Sequence, residues 1–281
     1  MSSNTAEDGF RYYGPRPNWQ WVDVAELWRF RELIWTFAQR DLKIRYRQTA
    51  VGAVWAILQP LLTMAIFAVL FGLLTAKPTS SGIPYAITCL CGLIPWKLFE
   101  GTITASTTSL VQNQNILQKV YFPKMILPLA SLIPPLVDFA IAFCLLLVLM
   151  PFFGVAYSIK MLALPLVLIG LLAVSLAVSL WLSALNAIYR DVQFIVPFML
   201  QIGMFISPVV YEMNAIIPEK WRWLYSLNPM AGVLELFRWS ILGLPAPSFS
   251  SLAISLSGTL LLLLGGMFYF RRMERFFSDR I

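Results

Sequence analysis

The sequence contains no histidine at all. That removes His-ligated metals, Ser-His-Asp triads and histidine proton relays together. Cysteine is scarce: Cys89, Cys91 and Cys144 all sit in apolar runs and read as small buried hydrophobes, not as metal ligands or a disulfide. No GxxxxGK[ST] loop occurs, so the chain does not bind ATP in the P-loop manner. No internal repeat is visible, which speaks against an inverted-repeat transporter. The first 25 residues lack a signal-peptide h-region and read as a polar, loosely ordered tail. Charge is thin too: 12% of residues are charged and 59% are hydrophobic, with a mean hydropathy of +0.73. So much apolar surface does not fit one soluble core.

What is present is organised around one junction. Arg40, Lys43, Arg45 and Arg47, with Asp41 the single acid among them, precede 26 residues without any charge, Val51 to Ala76. At about 1.5 Å per residue that run exceeds the roughly 30 Å hydrocarbon core, so it spans a bilayer with some tilt. Lys and Arg beside a span resist translocation and hold that end in the cytoplasm. The net charge of +7 is concentrated in segments flanking apolar runs. That distribution favours a membrane surface as the partner, and not nucleic acid.

Upstream of the junction, helical periodicity runs from Glu26 to Arg45. Leu27, Phe30, Leu33, Ile34, Phe37, Ala38 and Ile44 share one broad face; Arg29, Glu32, Thr36, Gln39, Arg40 and Lys43 share the other. The pattern predicts an amphipathic interface helix, residues 26–47, with aromatics toward the lipid and charges toward the cytoplasm.

Hydropathy predicts an all-α membrane protein whose domain, 48–281, holds six spans, at about 51–76, 84–110, 127–150, 162–188, 193–210 and 250–270. Pro60 predicts a kink roughly one third of the way into the first. Lys97 and Glu100 lie three residues apart in the second, able to pair on one helix face, and Asp138 lies in the third. A charge at a helix centre costs about 2.5–3.5 kcal/mol on the insertion scale, so these groups should face protein or a watery cavity. Gln112 to Lys124 is polar and mildly basic and reads as a cytoplasmic connection. Residues 211–247 are too polar for a span yet too apolar and Trp-rich for a free loop. Two short helices broken at Asn228-Pro229, dipping part-way into the outer leaflet, suit that composition. Fifteen Lys and Arg fall in segments read as cytoplasmic and five, including Arg238, in segments read as outer, which puts both termini inside.

At this point the residues carry a resemblance. RELIWTFAQRDLKIRYRQTAVGAVWAILQPLLTMAIFAVLF resembles the amino-terminal signature of ABC-2 type permeases that export polysaccharides and polyol phosphates. YRDVQFIVPFMLQIGMFISPVVY and LNPMAGVLELFRWSILG resemble that family's fourth-to-fifth span turn and outer hairpin. The resemblance implies a homodimer of six-span subunits in the bacterial cytoplasmic (inner) membrane. Two copies of a separate ATPase, which bind ATP and Mg, would drive a lipid-linked glycan outward; this chain itself would carry no cofactor and no catalytic residue. The ATPase would contact the interface helix, through Arg29, Glu32, Arg40 and Lys43, and the connection between spans two and three, through Gln114, Asn115, Lys119, Phe122 and Lys124. In that connection Phe122 is the expected buried anchor in the ATPase groove, with Lys119 and Lys124 at its rim. Trp55, Phe198 and Phe205 are candidates for the conduit. Lys97 and Glu100 join them on their intramembrane charge alone, since no role for them comes with the resemblance. Tyr211, Trp221, Trp223 and Tyr225 are candidates for an outer gate. Two other function classes stay open: an ABC-2 exporter of small lipophilic compounds, and a membrane-embedded enzyme acting on a lipid-linked glycan. The pattern QxxxGxxWxxxxP (Gln48, Gly52, Trp55, Pro60) fits the polymer exporters better.

Overall fold

The computed structural model describes residues 24–47, 54–74 and 82–280. The amino-terminal tail expected over 1–25 lies almost wholly outside these residues, as do Gln48 and Gly52. The described residues are helical and contain no strand. The helices are α1 (Val24–Arg29), α2 (Arg31–Arg47), α3 (Val54–Leu74), α4 (Tyr85–Gln112), α5 (Gln114–Leu117), α6 (Ile126–Ala130) and α7 (Ile133–Phe152). After a 3-10 turn, Ile159–Ala163, come α8 (Leu164–Ile188), α9 (Val192–Ile206), α10 (Met213–Ile216), α11 (Glu219–Ser226), α12 (Pro229–Leu242) and α13 (Phe249–Arg280).

Among the described residues, four segments are long and apolar enough to cross a membrane: Tyr85–Gln112, Ile126–Phe152, Ile159–Ile188 and Phe249–Glu274. Ile57–Leu70 of α3 and Val192–Ile206 of α9 are apolar but shorter. The expected boundaries shift for local reasons. The predicted 26–45 helix breaks at Phe30 into α1 and α2. The third apolar segment is divided at Ser131-Leu132, because Pro134 and Pro135 cannot donate and are tolerated only in a helix's first turn, where α7 puts them. The fifth stops at Ile206: Ser207 is extended ahead of Pro208, as a residue preceding proline prefers. The sixth runs on past Arg271 as an unbroken helix of 32 residues.

α4 is the axis. It packs on α3, α6, α7, α8, α9 and α12, and most of its residues are buried. In lipid, helices gain little by hiding apolar side chains from an equally apolar solvent, so close approach matters more than hydrophobicity. Small residues permit that approach: Gly101 meets Pro135, and Gly203 of α9 admits the edge of Trp96. On α13, Gly265 and Gly266 make room for Trp181 of α8, whose indole N–H donates to the Leu262 carbonyl at 3.0 Å and whose ring stacks on Tyr269.

Two apolar clusters result. The larger joins Trp96, Phe139, Leu171, Val209 and Phe237. The smaller gathers Phe37, Phe122, Met125, Ile126, Leu180, Phe270 and Phe277 at the end of the bundle where α2 lies. Its existence corrects the picture of the interface helix. Leu27, Phe30, Leu33 and Ile34 pack on it and Phe37 and Ala38 are buried, so protein covers most of the apolar face. Ile44, assigned to that face, is instead more than half exposed, as are Trp28 and Trp35.

Candidate functional site: a charge-paired cleft between α2, α3, α4, α6 and α7

A cleft of about 600 Å³ lies between the carboxyl end of α2, the amino-terminal half of α3, the carboxyl-terminal two-thirds of α4, α6 and the start of α7. Lys97 and Glu100 both line it, one turn apart on α4, with Nζ 2.8 Å from Oε2. Each is about one-third exposed, so the pair faces the opening instead of lipid or core. Asp138 lies in the first turns of α7 and also lines the cleft. It forms an ion pair with Arg45 and accepts a hydrogen bond from the Tyr46 hydroxyl. Burial first, then the Asp138 hydrogen bond and its negative charge, push the Tyr46 hydroxyl above the ordinary tyrosine range. Tyr46 therefore stays a neutral donor.

A second tie fixes the same helix. Arg40 donates from Nη1 to Asn113 Oδ1 at 2.6 Å, contacts Asp41 at 2.8 Å, and lies over the Phe37 ring. Asn113, the buried residue after α4, donates in turn to the Ser109 carbonyl at 2.7 Å. So α2 is pinned at Arg40 to the end of α4 and at Arg45 and Tyr46 to the start of α7. Trp55, half exposed on α3, lines the cleft with Gln59 and Pro60.

The predicted coupling residues divide. Arg29, Glu32 and Lys43 on the interface helix are exposed, as are Asn115 and Lys119 on the connection; Gln114 and Arg40 are half-buried. Phe122 is not available to a partner. Its ring is buried 5.8 Å from that of Phe37 within the chain's own smaller cluster, because Pro123 follows it and turns the chain inward toward α6. Lys124 is likewise drawn inward: its backbone N–H donates to Glu274 Oε1 at 3.0 Å and its ammonium to the Glu274 carbonyl at 3.1 Å. The exposed apolar groups here are Ile116, Val120 and Tyr121. Glu274 also holds Arg271, which reaches Glu26 of α1 at 3.7 Å, tying α13 to both cytoplasm-predicted elements.

At the opposite end, where the sequence predicted two short helices, the described residues hold three, α10, α11 and α12, with the expected break at Asn228-Pro229. Asn228 caps α12, its side chain accepting from the Met230 N–H at 3.1 Å and donating to Ser207 Oγ at 2.8 Å. Tyr211 donates to the Ile206 carbonyl at 3.0 Å. Trp221 and Trp223 are about half exposed on α11, and Tyr225 is half-buried. Phe198 and Phe205 lie exposed on α9. Arg238 is not the free outer-loop charge its sequence position suggests. It is buried, donating to the carbonyls of Pro208 at 2.6 Å, Val209 at 2.5 Å and Tyr211 at 2.9 Å. A guanidinium with five donors suits such a cluster of acceptors. Sequence reasoning missed Arg45, Tyr46, Asn113 and Arg238 as partners. The available signal was the cost of stranding Asp138 and Arg238 in apolar segments, which obliges each to find a partner.

Comparison with known proteins agrees with this architecture. The profile of the ABC-2 type transporter family matches residues 32–242, which include the cleft and the outer short helices. The O-antigen export system permease protein RfbA of Myxococcus xanthus is 31% identical over 216 residues, 76% of this chain and 82% of its own length. A protein of the same name from Klebsiella pneumoniae is 27% identical over 208 residues, covering 74% and 79%. The polysialic acid transport protein KpsM of Escherichia coli is 25% identical over 241 residues, covering 84% and 91%. A match over three-quarters of the chain, running from the interface helix through α12, is decisive: this chain is a membrane component of transport that belongs to the ABC-2 type transporter family.

Proposed function

We propose that this chain is the permease of an ATP-driven exporter that moves a lipid-linked polysaccharide outward across the bacterial cytoplasmic membrane. The observation that carries this reading is the coverage by export permeases: relatives named for O-antigen export align over about four-fifths of their own length. α3 and α9 serve as the two remaining spans in a six-span subunit with both termini in the cytoplasm. Two copies assemble, and two ATPase subunits supply ATP and Mg binding.

The exposed faces support this assembly. α9 leaves Phe194, Phe198, Ile202 and Phe205 exposed, and α3 leaves Leu62, Ile66 and Val69 exposed, as suits helices that meet a second copy or a conduit. The ATPase docks on Arg29, Glu32 and Lys43 of the interface helix and on Asn115, Lys119, Val120 and Tyr121 of the connection. Exposed aromatic and aliphatic groups anchor such contacts, and rim charges steer them. The short helices from 213 to 242 close the outer end as a gate, with Trp221, Trp223 and Tyr225 in the headgroup layer. The test is co-reconstitution in vesicles with the ATPase and glycolipid extracted from the producing cells. ATP-dependent glycolipid movement is expected with both subunits and none with either alone. Movement of small lipophilic dyes without glycolipid would assign the chain to the other branch of ABC-2 exporters.

A further inference from the structure

The charged side chains of the cleft are paired. Lys97 is on Glu100, Arg45 is on Asp138, and Asp41 at the rim is on Arg40. A phosphate or pyrophosphate group is recognised by cations that are free to turn toward it, and each cation here already serves a carboxylate. A neutral polyhydroxyl ligand has the opposite requirement. Every hydroxyl both donates and accepts, so it gains from paired ammonium and carboxylate groups that leave each other intact. Gln59, Thr104, Thr108 and Gln112 extend the same donor–acceptor lining.

The cleft also offers an aromatic surface. Trp55 and Tyr46 line it, and Trp55 is half exposed. An indole face has the amphipathic character that suits the apolar C–H face of a pyranose while its edge stays wet. The volume of about 600 Å³ lies in the range of small-ligand sites. Five helices, α2, α3, α4, α6 and α7, supply the walls, and the ties at Arg40 and at Arg45–Tyr46 hold one wall in place.

We infer that this cleft is a binding subsite for neutral sugar units of the transported glycan, with Trp55 as the stacking surface and the Lys97–Glu100 pair as the hydroxyl-reading group. The inference rests on the export reading above and deepens it: within each subunit the sugar portion is held here, and the phosphate-linked end is held elsewhere. Lys97 and Glu100 then act as a unit, so losing either one leaves a lone charge facing the sugar.

Thr104 is exposed within the cleft and supports a direct test. Cys89 and Cys91 are buried and Cys144 is exposed, so Thr104→Cys in a Cys144→Ser background presents one reactive thiol among the described residues. The permease–ATPase complex in nanodiscs is alkylated with N-ethylmaleimide in the presence of two probes. One is short oligosaccharides released by mild acid from the producing cell's polysaccharide and freed of lipid and phosphate; the other is inorganic pyrophosphate. The oligosaccharides are expected to slow alkylation at least threefold, pyrophosphate to leave it unchanged, and Trp55→Ala to abolish the protection. Protection by pyrophosphate alone would make the cleft a phosphate site and overturn the inference. Absence of protection by both would overturn it as well. Glycolipid transport in parallel vesicles reports separately on the export reading: transport without protection sinks the subsite alone, and sugar protection supports the subsite whether or not transport is seen.

Discussion

Arg238 of α12 lies directly against Gly92 of α4 and leaves no room for a side chain there. A Cβ built on Gly92 would stand 2.5 Å from Arg238 Nη2 and overlap the Val209 carbonyl that Arg238 holds. The guanidinium thus fastens the turn after α9 to the central helix, through three carbonyls that have left their helix. Arg238→Leu strands those acceptors, each at about 1–3 kcal/mol, so a loss of at least about 3 kcal/mol is expected. Arg238→Lys, with a point charge in place of a fork, should recover only part. Gly92→Val should mimic Arg238→Leu. Thermal unfolding of the purified protein, followed by tryptophan fluorescence, measures all three. A wild-type midpoint for Arg238→Leu would show that the clamp is dispensable.

Phe122 distinguishes a core residue from a docking residue. Its ring packs on Phe37 inside the chain, so Phe122→Ala should destabilise the fold by about 3–5 kcal/mol. Val120→Asp and Tyr121→Ala alter exposed groups instead. They are expected to leave the melting midpoint near wild type and to cut ATPase co-purification several-fold. If Phe122→Ala is as stable as wild type but loses the ATPase, the ring has turned outward in the complex.

Arg45 and Asp138 join the interface helix to α7 across 93 positions of sequence, and their coupling is measurable. Their side chains are 46% and 21% exposed, so solvent screens part of the attraction. A double-mutant cycle of Arg45→Met and Asp138→Asn should return about 1 kcal/mol of coupling, shrinking in high salt. Hydrogen exchange should speed up selectively in the last turn of α2. A coupling near zero, with unchanged exchange, would leave the Tyr46 hydrogen bond as the side-chain tie from α2 to Asp138.

The gate proposed for the outer short helices predicts a leak. Trp221 and Trp223 are about half exposed, so replacing both with Ala should leave thermal stability within experimental scatter. Ion flux through vesicles containing the permease–ATPase complex should rise several-fold. An unchanged flux with normal assembly would make this region a static cap.

Much of the architecture was readable one residue at a time. Hydropathy located the apolar helices, and Asn228-Pro229 marked a helix break because a residue before proline avoids the α region and asparagine caps well. The division of the third segment at Ser131-Leu132 was less visible, although its cause, Pro134 and Pro135, is local. The site was legible only as a demand. Lys97, Glu100 and Asp138 had to face protein or water, yet nothing in their neighbourhood named Arg45 and Tyr46 as the groups that meet Asp138.

By itself the sequence determined the properties that near neighbours along the chain control: apolar helices without strands among the described residues, the helix break at Asn228-Pro229, and the family. Those properties depend on local backbone preference and on transfer free energy, both of which sum over consecutive residues. Tertiary structure alone decided that Phe122 is core, that Arg238 is a clamp instead of a loop charge, and that α2, α3, α4, α6 and α7 enclose a cleft lined by paired charges. The physical reason is that a helix presents every side of itself. Which side meets which neighbour is set by small residues such as Gly92 and Gly203, and by polar groups that find partners dozens of residues away.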